Sequence, residues 1–282
     1  MKYTKIFSMI ALAVAATFAS CSKDSSSSTN TNPTVTNSAD TVAVNNLVAY
    51  FKFNADVTDK KGHVAVNHGV TFTTDRFGTA AAAYHGMDTA FVDVTPDALM
   101  KNLSSMTYSV WLRTQNLDGG TNFIFSYIDP TIDWNAGIGM WQEGSNGSRP
   151  DTVQLKGFTM HQSSSVYTWL DTRNGDVSKV LFPTAKWFQV VYTYDANSSI
   201  YRLFLNGVKV MQDTSTYNDA LMGGITIPTT ATDFFIGKNP NTVQTWLGNY
   251  LGDMDDFRLY NVALTEDQVG ALYNGENGAE GN

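Results

Sequence analysis

The segment GDMDDFRLYNVALTEDQVGALYN, residues 252–274, joins a strand pattern to a helix start. Through DDFRLYN, apolar residues alternate with polar ones, which is typical of a strand that is buried on one face. Thr265 opens the sequence T-E-D-Q, a capping box, and Leu264 and Val269 have the spacing of a hydrophobic staple. The segment therefore predicts a strand followed by one short helix, which Asn274-Gly275 would end.

The sequence before this segment contains further short strand patterns with turn signals between them. Residues 47–53, LVAYFKF, and 106–114, MTYSVWLRT, alternate with a period of two. Residues 186–195, KWFQVVYTYD, are followed by YRLFLNGVKV, in which Asn206-Gly207 predicts a type I′ hairpin turn. Long helical patterns are absent from the sequence. The pattern thus predicts an all-β protein, an antiparallel β-sandwich or jelly roll with one short C-terminal helix.

The N-terminus predicts a secretory signal peptide. Lys2 and Lys5 precede the apolar run IFSMIALAVAATFAS, which ends in small residues and is short for a membrane span. The single cysteine, Cys21, follows in the sequence FASC, which resembles the lipobox of bacterial lipoproteins. The resemblance implies that Cys21 is acylated and becomes the mature N-terminus. An ordinary signal peptide beside a free thiol is the alternative.

The stretch after the cysteine, SKDSSSSTNTNPTVTNSAD, is polar and contains no aromatic residue. It cannot bury enough apolar surface to order itself, so it predicts a flexible tether to a folded domain. Without an internal repeat or a second change of composition, one domain is the simplest organisation. We expect a signal peptide at 1–20, the acylated cysteine and tether at 21–41, the folded domain at 42–275 and a tail at 276–282.

Several of these segments are similar to the laminin-G-like jelly-roll domains of the concanavalin A-like lectin/glucanase superfamily. The family's opening resembles LVAYFKFNADVTDKKG, NHGV and TTDRFGTAAAAYHG, and its later strands resemble SSMTYSVWLRT, AKWFQVVYTYD, YRLFLNGVKV and FFIGKN. Residues 252–274 resemble the closing strand and helix of the family. Two departures, Phe188-Gln189 for histidines and Asn206 for Asp, fall at structural positions. The resemblance implies two stacked sheets with the first and last strands adjacent, and binding of carbohydrate or a protein surface, sometimes with a structural calcium.

The sequence offers little support for an enzyme. Glucanases of the superfamily carry Glu-x-Asp-x-Glu on one strand face, and this motif is absent. The four histidines lack metal-ligand spacing, and neither a G-x-S-x-G elbow nor a phosphate loop occurs. Asp253 and Asp255 share a strand face, which leaves an acid pair open. We expect a protein that is not an enzyme.

Three acids crowd the start of the closing strand in the sequence DMDD. Alternation predicts that Asp255 shares the core face with Phe257 and Leu259, whereas Asp256 and Arg258 pair in solvent. A core-side carboxylate needs a cation or several donors, and the loop NADVTDKKG could approach it. The sequence therefore predicts at Asp255 a structural Ca²⁺, a set of backbone N–H donors, or a Lys or Arg partner. The candidate calcium ligands are Asn54, Asp56, Asp59 and Asp255.

Aromatic residues lie among amides and acids in three segments, SYIDPTIDWNAGIGMWQEGSNGSRPD, SVYTWLDTRNG and QTWLGNY. Sugars stack on aromatic rings and bond amides and carboxylates through their hydroxyls, so these loops predict a glycan site. The candidate ligand-binding residues are Tyr127, Asp133, Trp134, Trp141, Gln142, Trp169, Trp246 and Tyr250. Trp111 and Trp187, in the strongest strand patterns, are interpreted as packing.

These features predict a lipoprotein on the outer membrane of a Gram-negative bacterium, whose jelly-roll domain binds carbohydrate without catalysis. Adhesion or assembly through a protein partner is the main alternative, and glycoside hydrolysis is the third. The formal charge of −8 argues against nucleic acid as a partner and against binding an anionic membrane surface. Membrane contact is therefore expected through the lipid anchor only.

Overall fold

The computed structural model of the chain describes residues 38–115, 120–132, 135–144, 152–161, 163–171, 182–217, 220–240 and 246–278. Cys21, the signal peptide and most of the predicted tether lie outside these residues, as do Asp133 and Trp134. Strands dominate the described residues, and two antiparallel sheets form a sandwich, which confirms the predicted fold class. No helix of the described residues is both long enough and apolar enough to cross a membrane.

The elements are short, as expected for a sandwich. The strands are β1 (Leu47–Phe51), β2 (Ala65–His68), β3 (Thr71–Thr73), β4 (Ala83–His85), β5 (Phe91–Val94), β6 (Met106–Arg113), β7 (Thr121–Ile128), β8 (Ile138–Gly144), β9 (Thr152–His161), β10 (Ser163–Asp171), β11 (Phe182–Pro183), β12 (Trp187–Asp195), β13 (Ile200–Leu205), β14 (Val208–Thr214), β15 (Thr216–Tyr217), β16 (Ala220–Leu221), β17 (Asp233–Ile236), β18 (Leu247–Asn249) and β19 (Asp253–Tyr260). The helices are α1 (Ala98–Lys101) and α2 (Glu266–Gly278), with 3-10 turns at Ser38–Thr41 and Val44–Asn46.

The first sheet has the order β14-β13-β12-β6-β19-β4-β3, and β1 also pairs with β19. The pairing of β1 with β19 brings Phe51 opposite Phe257, so the first and last strands are adjacent, as the resemblance implied. The second sheet has the order β10-β9-β8-β7-β17-β5-β2, with β11 added to β9 and β18 lying parallel to β7. Strands β15 and β16 form a separate hairpin.

The core between the sheets is rich in aromatic side chains from both layers. Phe257 of the first sheet contacts Phe125 and Phe234 of the second, with ring centroids 5.4 and 5.9 Å apart. Tyr108 lies edge-on to Phe125 at 4.7 Å. Burial of such rings is the main source of stability in a sandwich, because each removes a large apolar area from water.

The predicted turn at Asn206-Gly207 is confirmed. Both residues have positive φ angles, +50° and +76°, as a type I′ turn requires. The side chain of Asn206 accepts a hydrogen bond from the backbone N–H of Gln189 at 2.9 Å. A Cβ on Gly207 would lie 2.9 Å from the Cβ of Tyr273, so glycine here also allows α2 to approach the hairpin.

Helix α2 begins as predicted and ends later than predicted. The N–H of Gln268 donates to the hydroxyl of Thr265, whose own N–H donates to the Gln268 side chain, which confirms the capping box. Leu264 and Val269 are buried in one cluster against the first sheet. The predicted stop at Asn274-Gly275 is wrong, because the helix continues to Gly278.

Buried side chains hold both ends of the folded unit beyond the predicted boundaries. Glu276, assigned to the tail, is almost completely buried on the first sheet. Ala39, assigned to the tether, belongs to the 3-10 turn Ser38–Thr41 and is buried with Leu272 of α2. Contacts between these distant segments, rather than local composition, therefore place Ala39 and Glu276 in the folded unit.

The closing strand contains a β-bulge that the alternation pattern did not reveal. Asp255 lies opposite Trp111 and Arg258 opposite Ser109, so two residues between them face only one on β6. The bulged residue Asp256 has a φ of +47°, in the left-handed region that few residues other than glycine adopt.

The bulge changes which residues of β19 face the core. Met254, Phe257 and Leu259 all lie in the core cluster. Asp255 points the other way with its cross-strand neighbour Trp111, which stacks on Tyr273 of α2 at 5.7 Å. The predicted placement of Asp255 on the core face is therefore wrong: it lies on the outer face, beneath the helix.

Candidate functional site

Arg76, from the turn between β3 and β4, binds the acids at the bulge. One terminal nitrogen of its guanidinium donates to Asp255, and the other donates to Asp256 at 2.6 Å. The guanidinium also lies over the rings of Phe77 and Trp111, 4.5 and 4.7 Å from their centroids. Arg76 is therefore the partner of Asp255, which is the Lys or Arg pairing predicted as the alternative to calcium.

A second arginine joins the same layer to α2. Arg258 is 1% exposed, and its Nε donates to Oε1 of Glu276 at 2.8 Å. The other carboxylate oxygen of Glu276 accepts from Trp111 Nε1 and Gln189 Nε2, both at 2.7 Å. The predicted solvent-facing pair of Asp256 and Arg258 is wrong, because the helix covers this face and Arg258 pairs mainly with Glu276.

Three carboxyl groups share two guanidinium groups in this buried layer. Burial raises the pKa of Asp255 to about 8, and the adjacent Asp256 adds to the rise. Burial and Asp256 likewise raise the pKa of Glu276 to about 7. Burial also opposes ionisation of Asp256, but Arg76 and Arg258 outweigh it and hold the pKa of Asp256 below its usual value. The layer thus retains a proton near neutral pH and fastens α2 to the sheet.

The four predicted calcium ligands do not come together. Both carboxylate oxygens of Asp59 accept hydrogen bonds, one from the N–H of Tyr50 and the other from His63. Asp56 accepts from the N–H of Thr58 within its own loop. Asp255 is bound to Arg76, and Asn54 is exposed. Among the described residues no three His, Cys, Asp or Glu side chains could hold a metal ion, so these residues do not fit calcium.

Most of the predicted glycan-binding residues that the structure describes are buried. The hydroxyl of Tyr127 donates to the carbonyl of Met100, and Tyr250 is likewise enclosed. Trp141 is 3% exposed and stacks on Phe123, and its neighbour Gln142 donates to the carbonyl of Gln115. These four side chains present no surface to a ligand, so their placement in binding loops is wrong. Trp169 lies in β10, with its backbone opposite Phe158.

Trp246 is the exception, with 53% of its surface exposed. It directly precedes β18, which lies at one end of the sandwich. Strand pairing places the first residues of β7 and β9 and the last residues of β8 and β17 at this end, which we call the loop end. Among the described tryptophan side chains, Trp246 is the one most open to solvent, and its position suits ligand contact.

The first sheet contributes a second group of side chains at the loop end. Trp187, Arg113, Asp253 and His85 lie directly opposite one another on the adjacent strands β12, β6, β19 and β4. Cross-strand neighbours share a sheet face, so the four form one continuous row, which we call the Arg113 row. The row lies on the outer face, so the interpretation of Trp187 as core packing is wrong: its ring is half-buried.

The members of the Arg113 row bind one another. Asp253 accepts from Arg113 Nε on one oxygen and from His85 Nδ1 on the other, both at 2.7 Å. The guanidinium of Arg113 lies 5.0 Å from the ring centroid of Trp187. The side chains of Arg113 and His85 remain 30% and 42% exposed. The row is therefore an ordered polar and aromatic surface that solvent reaches.

Comparison with known families identifies the fold. The family model described as the concanavalin A-like lectin/glucanases superfamily matches residues 85–270, which is more than half of the chain. The chain belongs to the concanavalin A-like lectin/glucanase superfamily. The match includes every member of the Arg113 row and Trp246. A search of curated proteins finds no match to this superfamily member.

Solved structures of similar fold are binding domains rather than catalytic ones. The binding domain of Paraclostridial Mosquitocidal Protein 1 has a TM-score of 0.60 at 15% identity, over 83% of this chain and 53% of its own. The ligand-binding domain of botulinum neurotoxin serotype D, in complex with N-acetylneuraminic acid, has a TM-score of 0.58 at 13% identity, over 85% and 53%. The serotype G binding domain gives 0.58 at 12% identity, over 83% and 52%. This superfamily member thus spans about half the length of these structures, and the likeness concerns the fold.

The Arg113 row is not recognisable in the sequence because its members are far apart in the chain. His85 precedes Arg113 by 28 positions and Asp253 follows it by 140. Only the register of four strands aligns them. The sequence did contain one indication. Arg113 lies at the end of a strong strand pattern and Trp187 at the start of another, so both are expected at the edge of a sheet where strands end.

Proposed function

We propose that this superfamily member binds carbohydrate without catalysis, at the loop end of its sandwich. The observation that carries the proposal is the exposure of Trp246 at the loop end, directly before β18. An indole in this position offers a flat apolar face on which a sugar ring stacks, while the neighbouring polar groups bond its hydroxyls. The binding-domain character of the structural neighbours, one in complex with N-acetylneuraminic acid, supports this reading.

The state of the acidic residues favours binding over hydrolysis. A glycoside hydrolase needs two carboxyl groups that flank the scissile bond in a cleft. Asp253 is bound by Arg113 and His85, and Asp255 is bound by Arg76 beneath α2. Glu143 forms an ion pair with Lys156 at 2.8 Å. Each of these acids has a cationic partner that competes with a catalytic role.

A glycan array, followed by calorimetry on its best hits, tests the proposal. Trp246→Ala is expected to weaken binding at least tenfold, because loss of a central aromatic contact removes about 2 kcal/mol and 1.4 kcal/mol corresponds to a tenfold change in Kd. Leu221→Ala is the matched control, since Leu221 is 57% exposed in the separate hairpin. A Kd unchanged by Trp246→Ala would remove Trp246 from the site. Absence of any glycan binding by the wild type would contradict the proposed function.

The same proposal includes display of the domain through a lipid on Cys21 at the outer membrane. The support is the sequence FASC at the end of the apolar run, followed by a long polar stretch. Metabolic labelling with a fatty acid should mark the wild type and not Cys21→Ser. Recovery of Cys21→Ser in the membrane fraction to the same extent as the wild type would contradict the anchor.

A further inference from the structure

We propose that the Arg113 row binds the carboxylate of an acidic sugar, so that the ligands of this protein are glycans that carry carboxyl groups. This inference rests on the proposed carbohydrate-binding function and adds the class of sugar. The row crosses four adjacent strands, which at about 4.8 Å per strand makes a surface roughly 14 Å long. It is large enough to contact more than one sugar unit.

Arg113 is held in place before any ligand arrives. Its Nε is bound to Asp253, and the flat face of its guanidinium lies against Trp187. Within the described residues its two terminal nitrogens donate to no other group, and the side chain is partly exposed. A guanidinium fixed in this way offers two parallel N–H donors, which match the two oxygens of a carboxylate. Little side-chain entropy is then lost on binding.

His85 and Trp187 extend the site on either side of the carboxylate. Because a carboxylate only accepts hydrogen bonds, His85 Nδ1 donates to Asp253, which leaves Nε2 as an acceptor on a side chain that is 42% exposed. Nε2 can then bond a sugar hydroxyl. The exposed part of Trp187 offers apolar surface to the C–H groups of the sugar ring.

The local charge suits an anion although the whole chain is acidic. The chain has a formal charge of −8. At the row, Asp253 shares its charge with Arg113 and His85, and the exposed Lys186 directly precedes Trp187. On the same face, Asp255 is buried beneath α2 and bound to Arg76, so it adds no exposed negative charge. Arg113 and Lys186 against Asp253 leave this place with one net positive charge, which favours an anionic ligand there.

The test compares acidic glycans with their neutral forms. Polygalacturonate, alginate and glucuronan are each measured beside the same polymer after reduction of its carboxyl groups to alcohols. The wild-type protein should bind at least one acidic polymer at least tenfold more tightly than its reduced form. Arg113→Gln should abolish this preference, and Arg113→Lys, which keeps the charge without the planar fork, should restore only part of it. Arg202→Gln on β13 is the matched control and should leave the preference unchanged.

The outcomes separate the two proposals. If Trp246→Ala weakens binding while the reduced polymers bind as well as the acidic ones, carbohydrate binding stands and the acidic-sugar inference is overturned. The inference is also overturned if Arg113→Gln keeps the tenfold preference with an unchanged melting temperature. If Arg113→Gln lowers the melting temperature, binding is measured below the transition, and Arg113→Lys, whose preference should lie between those of the wild type and Arg113→Gln, provides the second variant. Absence of binding to any polymer overturns both proposals.

Discussion

Nε of Arg258 lies 2.8 Å from Oε1 of Glu276 in a pair that water hardly reaches, joining the closing strand to the last turn of the C-terminal helix. Trp111 and Gln189 bind the same carboxylate from two further strands. Loss of one member would leave the other as a buried charge without its main partner, which costs far more than the pair contributes by itself. Glu276 thus joins α2 to three strands of the first sheet, β6, β12 and β19.

We therefore expect Glu276→Ala to lower the free energy of unfolding by about 3–5 kcal/mol, measured by urea denaturation. Glu266→Ala is the matched control, because Glu266 lies in the same helix and pairs with Lys209 at an exposed site. Its effect should stay below about 1 kcal/mol. Equal effects of the two substitutions would contradict a structural role for the buried pair.

The buried carboxyl groups predict a stability that declines as the pH rises toward 8. The folded-state pKa values of Asp255 and Glu276 are raised to about 8 and about 7. Such groups bind protons more tightly in the folded state, so their contribution is complete below a pH of about 4 and is lost as the pH rises through these values. Asp256 acts in the opposite sense, because its pKa is lowered and its contribution is lost in acid.

Urea midpoints measured between pH 4.5 and 8.5 check this expectation. The wild-type midpoint should fall from pH 4.5 to about pH 8 and then level off. Asp255→Asn mimics the protonated acid and should flatten that fall, whereas Asp213→Asn, on an exposed strand, should leave the profile unchanged. A wild-type midpoint that rises from pH 6 to pH 8.5 would contradict the charge balance proposed for the layer.

Two glycines, Gly207 in the hairpin turn and Gly270 in α2, should respond differently to an added methyl group. Gly207→Ala should destabilise the protein by about 1–3 kcal/mol, since the residue has a φ of +76° and the new Cβ would crowd Tyr273. Gly270→Ala should be neutral or stabilising by up to about 1 kcal/mol, because Gly270 lies inside α2 with nothing within 4 Å of the added atom. Thermal melts of both variants provide the comparison. A lower melting temperature for Gly270→Ala than for Gly207→Ala would contradict it.

Calcium should have no effect on thermal stability. An ion that binds only the folded state must stabilise it, and the four candidate ligands are dispersed or bound to other groups. We expect equal melting temperatures in EDTA and in millimolar Ca²⁺. A melting temperature that rises with Ca²⁺ concentration would instead restore the calcium prediction.

The features that the sequence predicted correctly depend on neighbouring residues. The capping box at Thr265 and the turn at Asn206-Gly207 both follow from side chains within a few positions of each other. The alternation of β1 and β6 likewise follows from a local period of two. Of the two aromatic residues predicted as ligand contacts in QTWLGNY, Trp246 is exposed and Tyr250 is buried.

The features that the sequence missed depend on partners distant in the chain. Asp256 adopts its left-handed conformation where Tyr50 donates to it at 2.6 Å and Arg76 binds it from a third segment. The burial of Trp141 and Tyr127 reflects strands that the loop-rich composition of their segment concealed. No local pattern reports such contacts, which arise only when both sheets are formed.

The sequence by itself determined the all-β class, several of the strands and the start of the helix that closes the domain, because side-chain periodicity and turn chemistry are local properties. Tertiary structure alone decided which face each acid of DMDD occupies and which aromatic residues meet solvent. One extra residue at Asp256 reverses the alternation of β19, and the register of four strands brings Arg113, Asp253, His85 and Trp187 into one row. Register and bulges are set by pairing between strands, so the same residues acquire their roles only in the folded sheet.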